Sequence, residues 1–210
     1  MFMKRIIFAT GNEGKMKEIR MILGDLDIEV QSLKEAGIDV EIDENGSTFE
    51  ENAIIKAKAI AEAKSRDTIC DTIVLADDSG LEIDYLNMEP GIYSARYMGE
   101  DTSYHIKNAN LIGRLEGVPD ERRTARFVCA IAAVFPNGDI KTTRGAMEGR
   151  IGYTEQGENG FGYDPIFYVN KFHCTTAELT PEQKNQVSHR GKALQMMKRE
   201  LCEHENINCK

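Results

Sequence analysis

The chain has 210 residues, with 26 Lys and Arg against 35 Asp and Glu for a formal net charge of −9, and is 41% hydrophobic and 29% charged. This is a globular composition, long enough for a single α/β domain or two close lobes, and its acidic field disfavours nucleic acid and anionic membrane surfaces as partners. No apolar run reaches the roughly 18 residues of a membrane span, and Met1-Phe2-Met3-Lys4-Arg5 leads into a short β-like run instead of a signal peptide's apolar region, so a soluble cytoplasmic protein is expected.

Cysteines stand at 70, 129, 174, 202 and 209, an odd number without a C-x-x-C pair, which fits a reducing compartment better than a disulfide framework. Cys129 reads as a small core hydrophobe. Cys202, His204 and Cys209 match no zinc spacing, and the tail from about 203 to 210 is expected to fray.

Hydrophobic periodicity alternates between 2 and 3.6, with no linker or repeat. A first strand is predicted at Arg5 to Ala9, then a helix with Met16, Ile19, Ile22 and Leu23 on one face that ends at Gly24-Asp25. A short strand near Ile28 to Val30 precedes the acidic loop Glu41-Ile42-Asp43-Glu44-Asn45-Gly46. Thr48 and Glu51 stand in capping-box register at the start of a second helix, whose Phe49, Ala53, Ala57, Ile60 and Ala61 share a face. Ile73-Val74-Leu75-Ala76 is a buried-type strand running into Asp77-Asp78-Ser79-Gly80, and Leu81 to Asp84 resumes an alternating pattern.

Glu89-Pro90-Gly91 turns the chain, and a more polar helix is predicted over about Thr102 to Leu115. Strands over Thr124 to Phe135 and Asp139 to Met147 flank the hairpin signal Pro136-Asn137-Gly138. A loop through Gly157, Gly160 and Gly162 leads to a strand-like Pro165 to Val169, and the chain ends in a helix with Leu194, Met197 and Leu201 aligned. The total reads as α/β with a mixed sheet and flanking helices.

Four segments are suited to chemistry. Thr10-Gly11-Asn12-Glu13-Gly14-Lys15 joins a strand to a helix, where glycines, the helix start and the Lys15 charge favour a phosphate or carboxylate. It is not a Walker A loop, since Met16 stands where Ser or Thr would bind magnesium, and a plain strand-helix turn is the alternative. Asp77 and Asp78 end a buried strand, and because successive side chains face opposite ways they should do different jobs; an Asx-type turn closed by Ser79-Gly80 is the alternative. Glu44 could share a magnesium ion with one of them, or be a solvated loop charge.

In Gly160-Phe161-Gly162-Tyr163-Asp164-Pro165, rings alternate with small residues, as in loops that lay a ring on a nucleobase and offer a carboxylate to its edge; an apolar plug is the other reading. Lys184 and Ser188-His189-Arg190-Gly191 bring basic groups to the last helix, or else Ser188 is its N-cap and His189 and Arg190 are solvated first-turn residues.

Taken in order, Thr10-Gly11-Asn12-x-x-Lys15, Thr48-Phe49-x-Glu51-Asn52-Ala53, Ala76-Asp77-Asp78-Ser79-Gly80-Leu81, Pro90-Gly91-x-Tyr93-Ser94-Ala95-Arg96, Phe161-Gly162-Tyr163-Asp164-Pro165 and Ser188-His189-Arg190 resemble the bacterial inosine/xanthosine triphosphate pyrophosphatase family. The resemblance covers about residues 4 to 200. It implies an elongated, two-lobed fold built on a mixed twisted sheet with a central cleft, a homodimer, a magnesium requirement, and hydrolysis of ITP, dITP and XTP to the monophosphate and pyrophosphate. Attack at the α-phosphorus is part of what it implies.

Carried over position by position, Thr10, Gly11, Asn12, Glu13, Gly14 and Lys15 hold the phosphates, with Lys56 also reaching them. Glu44 and Asp78 serve the metal, Asp78 is the proton acceptor, and Ser79 touches substrate. Phe161, Gly162, Tyr163, Asp164, Lys184, His189 and Arg190 line the nucleoside end, with Arg190 favouring a 6-oxo purine. A binding-only sensor and a pyrophosphatase for modified pyrimidines are the rival readings. The chain departs from the family at Glu158-Asn159-Gly160, where many relatives carry Thr-Gly-Gly; Asn159 tolerates left-handed geometry, which lets the turn persist. Glu13 adds a negative charge to the phosphate loop and should point away from the ligand.

Overall fold

In the computed structural model of the chain, residues 4–26, 28–63 and 72–205 are described. One seven-stranded sheet runs in the order β2-β1-β3-β4-β5-β6-β7, with β1 at Arg5–Phe8, β2 at Glu29–Ser32, β3 at Thr72–Ile83, β4 at Thr124–Val134, β5 at Ile140–Ile151, β6 at Phe167–Val169 and β7 at Cys174–Thr175. Strand β1 pairs in parallel with β2 and with β3, where Ile6 lies opposite Ile73 and Phe8 opposite Leu75, while β6 is antiparallel to both β5 and β7. The sheet is therefore mixed, as the alternation of strand-helix units and a hairpin predicts. The helices are α1 at Glu13–Leu23, α2 at Phe49–Ala63, α3 at Tyr104–Arg114, α4 at Pro181–Val187 and α5 at His189–Glu205.

Two compact units divide the chain: Met1–Asp78 with Cys129–Gly145 and Arg190–Lys210, and Ser79–Val128 with Ala146–His189. In the first, Ile6, Phe8, Met16, Ile19, Leu75 and Ile131 belong to one buried apolar cluster that also takes in Leu194, Met197 and Leu201 of α5. In the second, Leu81, Leu111, Phe127, Ile151, Ile166 and Phe167 form a separate cluster. Each unit thus buries its own apolar face, which holds its loops on a rigid support.

Several elements differ from expectation. Residues Asp77 to Gly80 do not turn but continue β3 as one twelve-residue strand, so the Asx-type turn is not formed. At the start of α2, Thr48 Oγ1 accepts from the Glu51 N–H at 3.1 Å, but the Glu51 carboxylate reaches back one residue further, to the Ser47 N–H and hydroxyl. Helix α4 is additional; Thr180 and Gln183 cap it reciprocally and Pro181 occupies its first turn, a signal present in Thr180-Pro181-Glu182-Gln183. Ser188 closes α4 as its C-cap, and His189 and Arg190 are 8% and 4% exposed, not solvated first-turn residues.

The expected fraying from residue 203 is not seen up to Glu205, where α5 continues: His204 contacts Asp139 and Glu205 and stacks on Phe135. Asn159 has no left-handed backbone; the positive φ angles of its loop fall on Gly157, Gly160 and Gly162. Asn159 instead donates its N–H to the Ala177 carbonyl at 2.9 Å. Cys129 and Cys174 are not in disulfides, whereas Cys202 is disulfide-bonded, which runs against the expectation of a reducing compartment. Cys70 and Cys209 lie outside the described residues. Among the described residues no helix is long and apolar enough to cross a membrane.

Candidate active site

In the first unit, the turn between β1 and α1 is built by its own side chains. Asn12 is the N-cap of α1, its Oδ1 accepting the Lys15 N–H at 3.0 Å, and the Thr10 hydroxyl oxygen accepts the Asn12 N–H at 3.2 Å. A helix leaves its first N–H groups without intrahelical partners, so a loop of exposed Gly11, Asn12, Glu13 and Gly14 ahead of Lys15 presents donors and a positive dipole end to an anion. Glu13 is exposed, as are Gly11, Asn12 and Gly14 beside it.

Strand β3 sends its two aspartates in opposite directions, as period 2 requires. Asp77, 2% exposed, accepts Lys15 Nζ at 3.1 and 3.0 Å and the Arg190 guanidinium at 3.3 and 3.4 Å; Arg190 also donates to Glu18 at 2.9 Å. Asp78 accepts Asn52 Nδ2 at 3.1 Å on Oδ2 and Lys56 Nζ at 3.3 Å on Oδ1, and the same Lys56 ammonium donates to Glu44 at 3.0 Å. The structure therefore brings Lys15, Asp77 and Arg190 together, and separately Glu44, Lys56 and Asp78.

Their charges follow from these partners. Burial alone would push Asp77 up, but Lys15, Arg190 and Lys56 outweigh it and hold the carboxyl well below its usual range. Asp78 goes the other way: burial, helped by the Glu44 charge, raises it above the ordinary value against the pull of Lys56 and Asn52. Burial opposes the Lys56 charge, yet Asp78, Asp77 and Glu44 keep its pKa raised. Two adjacent aspartates thus have different chemistry: a fixed buried anion and a carboxylate with enhanced affinity for a proton.

The second unit holds the remaining predicted residues. Lys184 Nζ donates to Asp164 Oδ2 at 2.7 Å and lies 5.4 Å from the centre of the Phe161 ring, whose residue is 49% exposed. Asp164 also accepts the Phe161 N–H at 2.8 Å and the Thr176 hydroxyl at 2.8 Å, so its carboxylate closes its own loop. A side chain at Gly160, where φ is +81°, would run into that carboxylate, which makes glycine obligatory there. Gly162, with φ +69°, sits against Tyr104.

Tyr163 is 4% exposed, donates its hydroxyl to the Ser94 carbonyl at 2.7 Å and meets Tyr104 edge to face, so it anchors the loop, whereas Phe161 presents its ring. His189 stacks on Phe127 with ring centres 5.1 Å apart. Ser79 follows Asp78 on β3. Arg190, which the resemblance assigns to the nucleoside end with these residues, is engaged in the first unit by Asp77 and Glu18.

Side chains without an assigned role in the motifs also enter: Asn52 and Glu18 in the first unit, Thr176 in the second. Asn52 and Lys56 were legible as a pair, four residues apart on one helix face just after an acidic loop.

An α/β protein with a strand-helix turn suited to an anion, beside paired carboxylates, is the class that these features define. Residues 6–200 match the sequence model of the Ham1 family, and the chain belongs to that family. It is 46% identical over 199 residues to the dITP/XTP pyrophosphatase of Clostridium perfringens, covering 95% of this chain and 98% of the relative, and 47% identical with the same coverage to that of Bacillus subtilis. Among solved structures, the Staphylococcus aureus Ham1 protein superposes with a TM-score of 0.84 at 44% identity, covering 96% of this chain and 100% of the other.

Proposed function

We propose that the chain hydrolyses non-standard purine nucleoside triphosphates, dITP, ITP and XTP, to the monophosphate and pyrophosphate. The observation that carries this reading, beside the near-complete similarity to proteins named dITP/XTP pyrophosphatase, is the convergence of Glu44 and Asp78 on one cationic nitrogen, at 3.0 and 3.3 Å. A pair of carboxylates already sharing one cation is a hard-oxygen donor set that fits magnesium, which is usually held by one or two carboxylates and completed by phosphates and water. Glu44 and Asp78 would hold the ion. Its chemistry when bound is to neutralise phosphate charge and stabilise the departing pyrophosphate.

The chain's own residues supply the rest. The Thr10–Lys15 turn binds phosphate oxygens through its N–H groups and the Lys15 ammonium, with Lys56 adding a second cation. Asp78, held by Asn52 and Lys56 at the end of the buried run of β3, is the acceptor for the proton of the attacking water. In the second unit the exposed Phe161 ring suits a nucleobase face, with the Lys184 ammonium beside it and Gly162, Tyr163 and Asp164 keeping the loop in shape; the resemblance adds Ser79 and His189 to the substrate contacts. A 6-oxo purine offers an acceptor where adenine has a donor, and facing donor to donor costs about 1–3 kcal/mol. For Arg190 the contacts favour a different task, holding Asp77 together with Lys15. The same reading carries a cytoplasmic homodimer; the net charge of −9 supports the absence of nucleic-acid and membrane partners.

Product analysis tests it. With magnesium, dITP and XTP are expected to give the monophosphate and pyrophosphate faster than ATP, dUTP or a methylated pyrimidine triphosphate at equal concentration, and Asp78→Asn to abolish release while dITP still binds. Release of orthophosphate and a diphosphate, or a preference for the pyrimidines, would overturn it.

A further inference from the structure

Asn52 is fully buried, and both ends of its amide are in use: Nδ2 donates to Asp78 Oδ2 at 3.1 Å and Oδ1 accepts the Gly46 N–H at 2.8 Å. The partners fix the orientation, because a flipped amide would set oxygen against carboxylate and N–H against N–H. One helical turn on, Lys56 repeats the pattern, bridging Glu44 of the same acidic loop and Oδ1 of the same aspartate. Each oxygen of Asp78 therefore has its own partner, and each partner also grips the loop.

The loop in turn is shaped for Asn52: a Cβ on Gly46 would lie 2.7 Å from Asn52 Oδ1 and 2.8 Å from Glu51 Cβ, so the backbone closes on the amide only with glycine there. Few side chains could replace it. Aspartate would accept from Gly46 but oppose the Asp78 charge, leucine would leave both groups unpaired, and glutamine adds a methylene to a site with no space.

We propose that Asn52 is a positioning residue that locks the acidic loop to Asp78, so that Glu44 and Asp78 are offered as a pair to one divalent cation. The idea rests on the proposed function for its consequence, and its readouts can be separated from it. Residues that orient metal ligands typically change metal affinity by about 10- to 100-fold when lost.

The experiment compares the intact wild-type protein with Asn52→Ala, Asn52→Asp and Gly46→Ala, the last leaving Asn52 in place while displacing the loop from it. Three quantities are measured: Mn²⁺ affinity without nucleotide, by calorimetry; hydrogen exchange of the backbone over residues 44–46; and dITP turnover as a function of magnesium. All three variants should exchange faster over 44–46, bind Mn²⁺ at least about tenfold more weakly, and need correspondingly more magnesium for half-maximal rate, while KM for dITP at saturating magnesium changes little. Wild-type Mn²⁺ affinity in variants that retain a cooperative melt would overturn the positioning role. If wild type bound Mn²⁺ but released no pyrophosphate, the proposed reaction would fail, while the contrasts in exchange and Mn²⁺ affinity would still decide the role of Asn52.

Discussion

Asp77→Asn keeps the shape of a buried carboxylate and removes its charge. Four contacts depend on that group: Lys15 Nζ at 3.1 Å to Oδ1 and 3.0 Å to Oδ2, and Arg190 Nε and Nη2 at 3.3 and 3.4 Å to Oδ2. An amide with its oxygen in the Oδ2 place keeps three of them as weaker neutral contacts and turns an NH2 on Lys15. Removing one partner of a buried ion pair costs about 3–5 kcal/mol. Two features put this case near the lower end: the Lys15 side chain is 22% exposed and can turn to water, and Arg190, at 5%, retains Glu18 at 2.9 Å.

A loss of about 3 kcal/mol at the 2–4 °C per kcal/mol usual for a chain of this size gives a fall of about 6–12 °C in Tm. The pH dependence has a definite sign. Asp77 titrates below its ordinary value of 3.8 in the folded protein, so its stabilisation is present above that value and is lost as pH falls through the folded pKa. The difference between wild type and Asp77→Asn should therefore be full at neutral pH and shrink only in strong acid. Thermal and urea melts at several pH values check this, followed by a probe in the first unit because the two units need not unfold together. A change in Tm under about 2 °C at neutral pH, or a difference that grows in acid, would refute the assignment of Asp77 as a fixed anion.

His204 hydrogen-bonds Asp139 at 3.0 Å and Glu205 at 3.1 Å, and these contacts raise its pKa from 6.5, so the clasp should stabilise the fold below that value and weaken as pH rises through the raised one. Melts of wild type and His204→Gln should differ more at about pH 6 than at about pH 9, the remainder being the lost stacking on Phe135; a difference independent of pH would count against the charged clasp. Gly160→Ala places a methyl group on the Asp164 carboxylate at a residue with φ +81°, and strain of about 1–2 kcal/mol should raise KM for dITP about 5- to 30-fold in steady-state assays, whereas an unchanged KM would dissociate this loop from substrate.

Local features were the legible ones. The α1 start is written in Asn12 and the spacing of Met16, Ile19 and Leu23, all of which the structure uses, and strand alternation alone separates Asp77 from Asp78. The Thr180-Pro181-Glu182-Gln183 signal was equally local and announces α4. Charge pairing was not legible, because Asp77 meets Lys15 across 62 residues and Arg190 across 113. The capping reading of Ser188 took His189 and Arg190 for solvated residues for the same reason: what buries them is Phe127 on β4 for one and Asp77 on β3 for the other.

Those distant pairings also change what the acidic balance of the chain means. The field at the site is set by which groups converge, not by the total of −9. In the first unit Glu18, Glu44, Asp77 and Asp78 are tied to Lys15, Lys56 and Arg190, which leaves the network one negative charge in excess. A triphosphate approaching that network alone would meet a slightly hostile field, and every cation on hand is already partnered by a carboxylate. The divalent ion proposed at Glu44 and Asp78 would reverse the sign and also compete with Lys56 for those two carboxylates, freeing its ammonium to turn toward phosphate. Metal and substrate binding would then favour each other through the one side chain that both carboxylates already share.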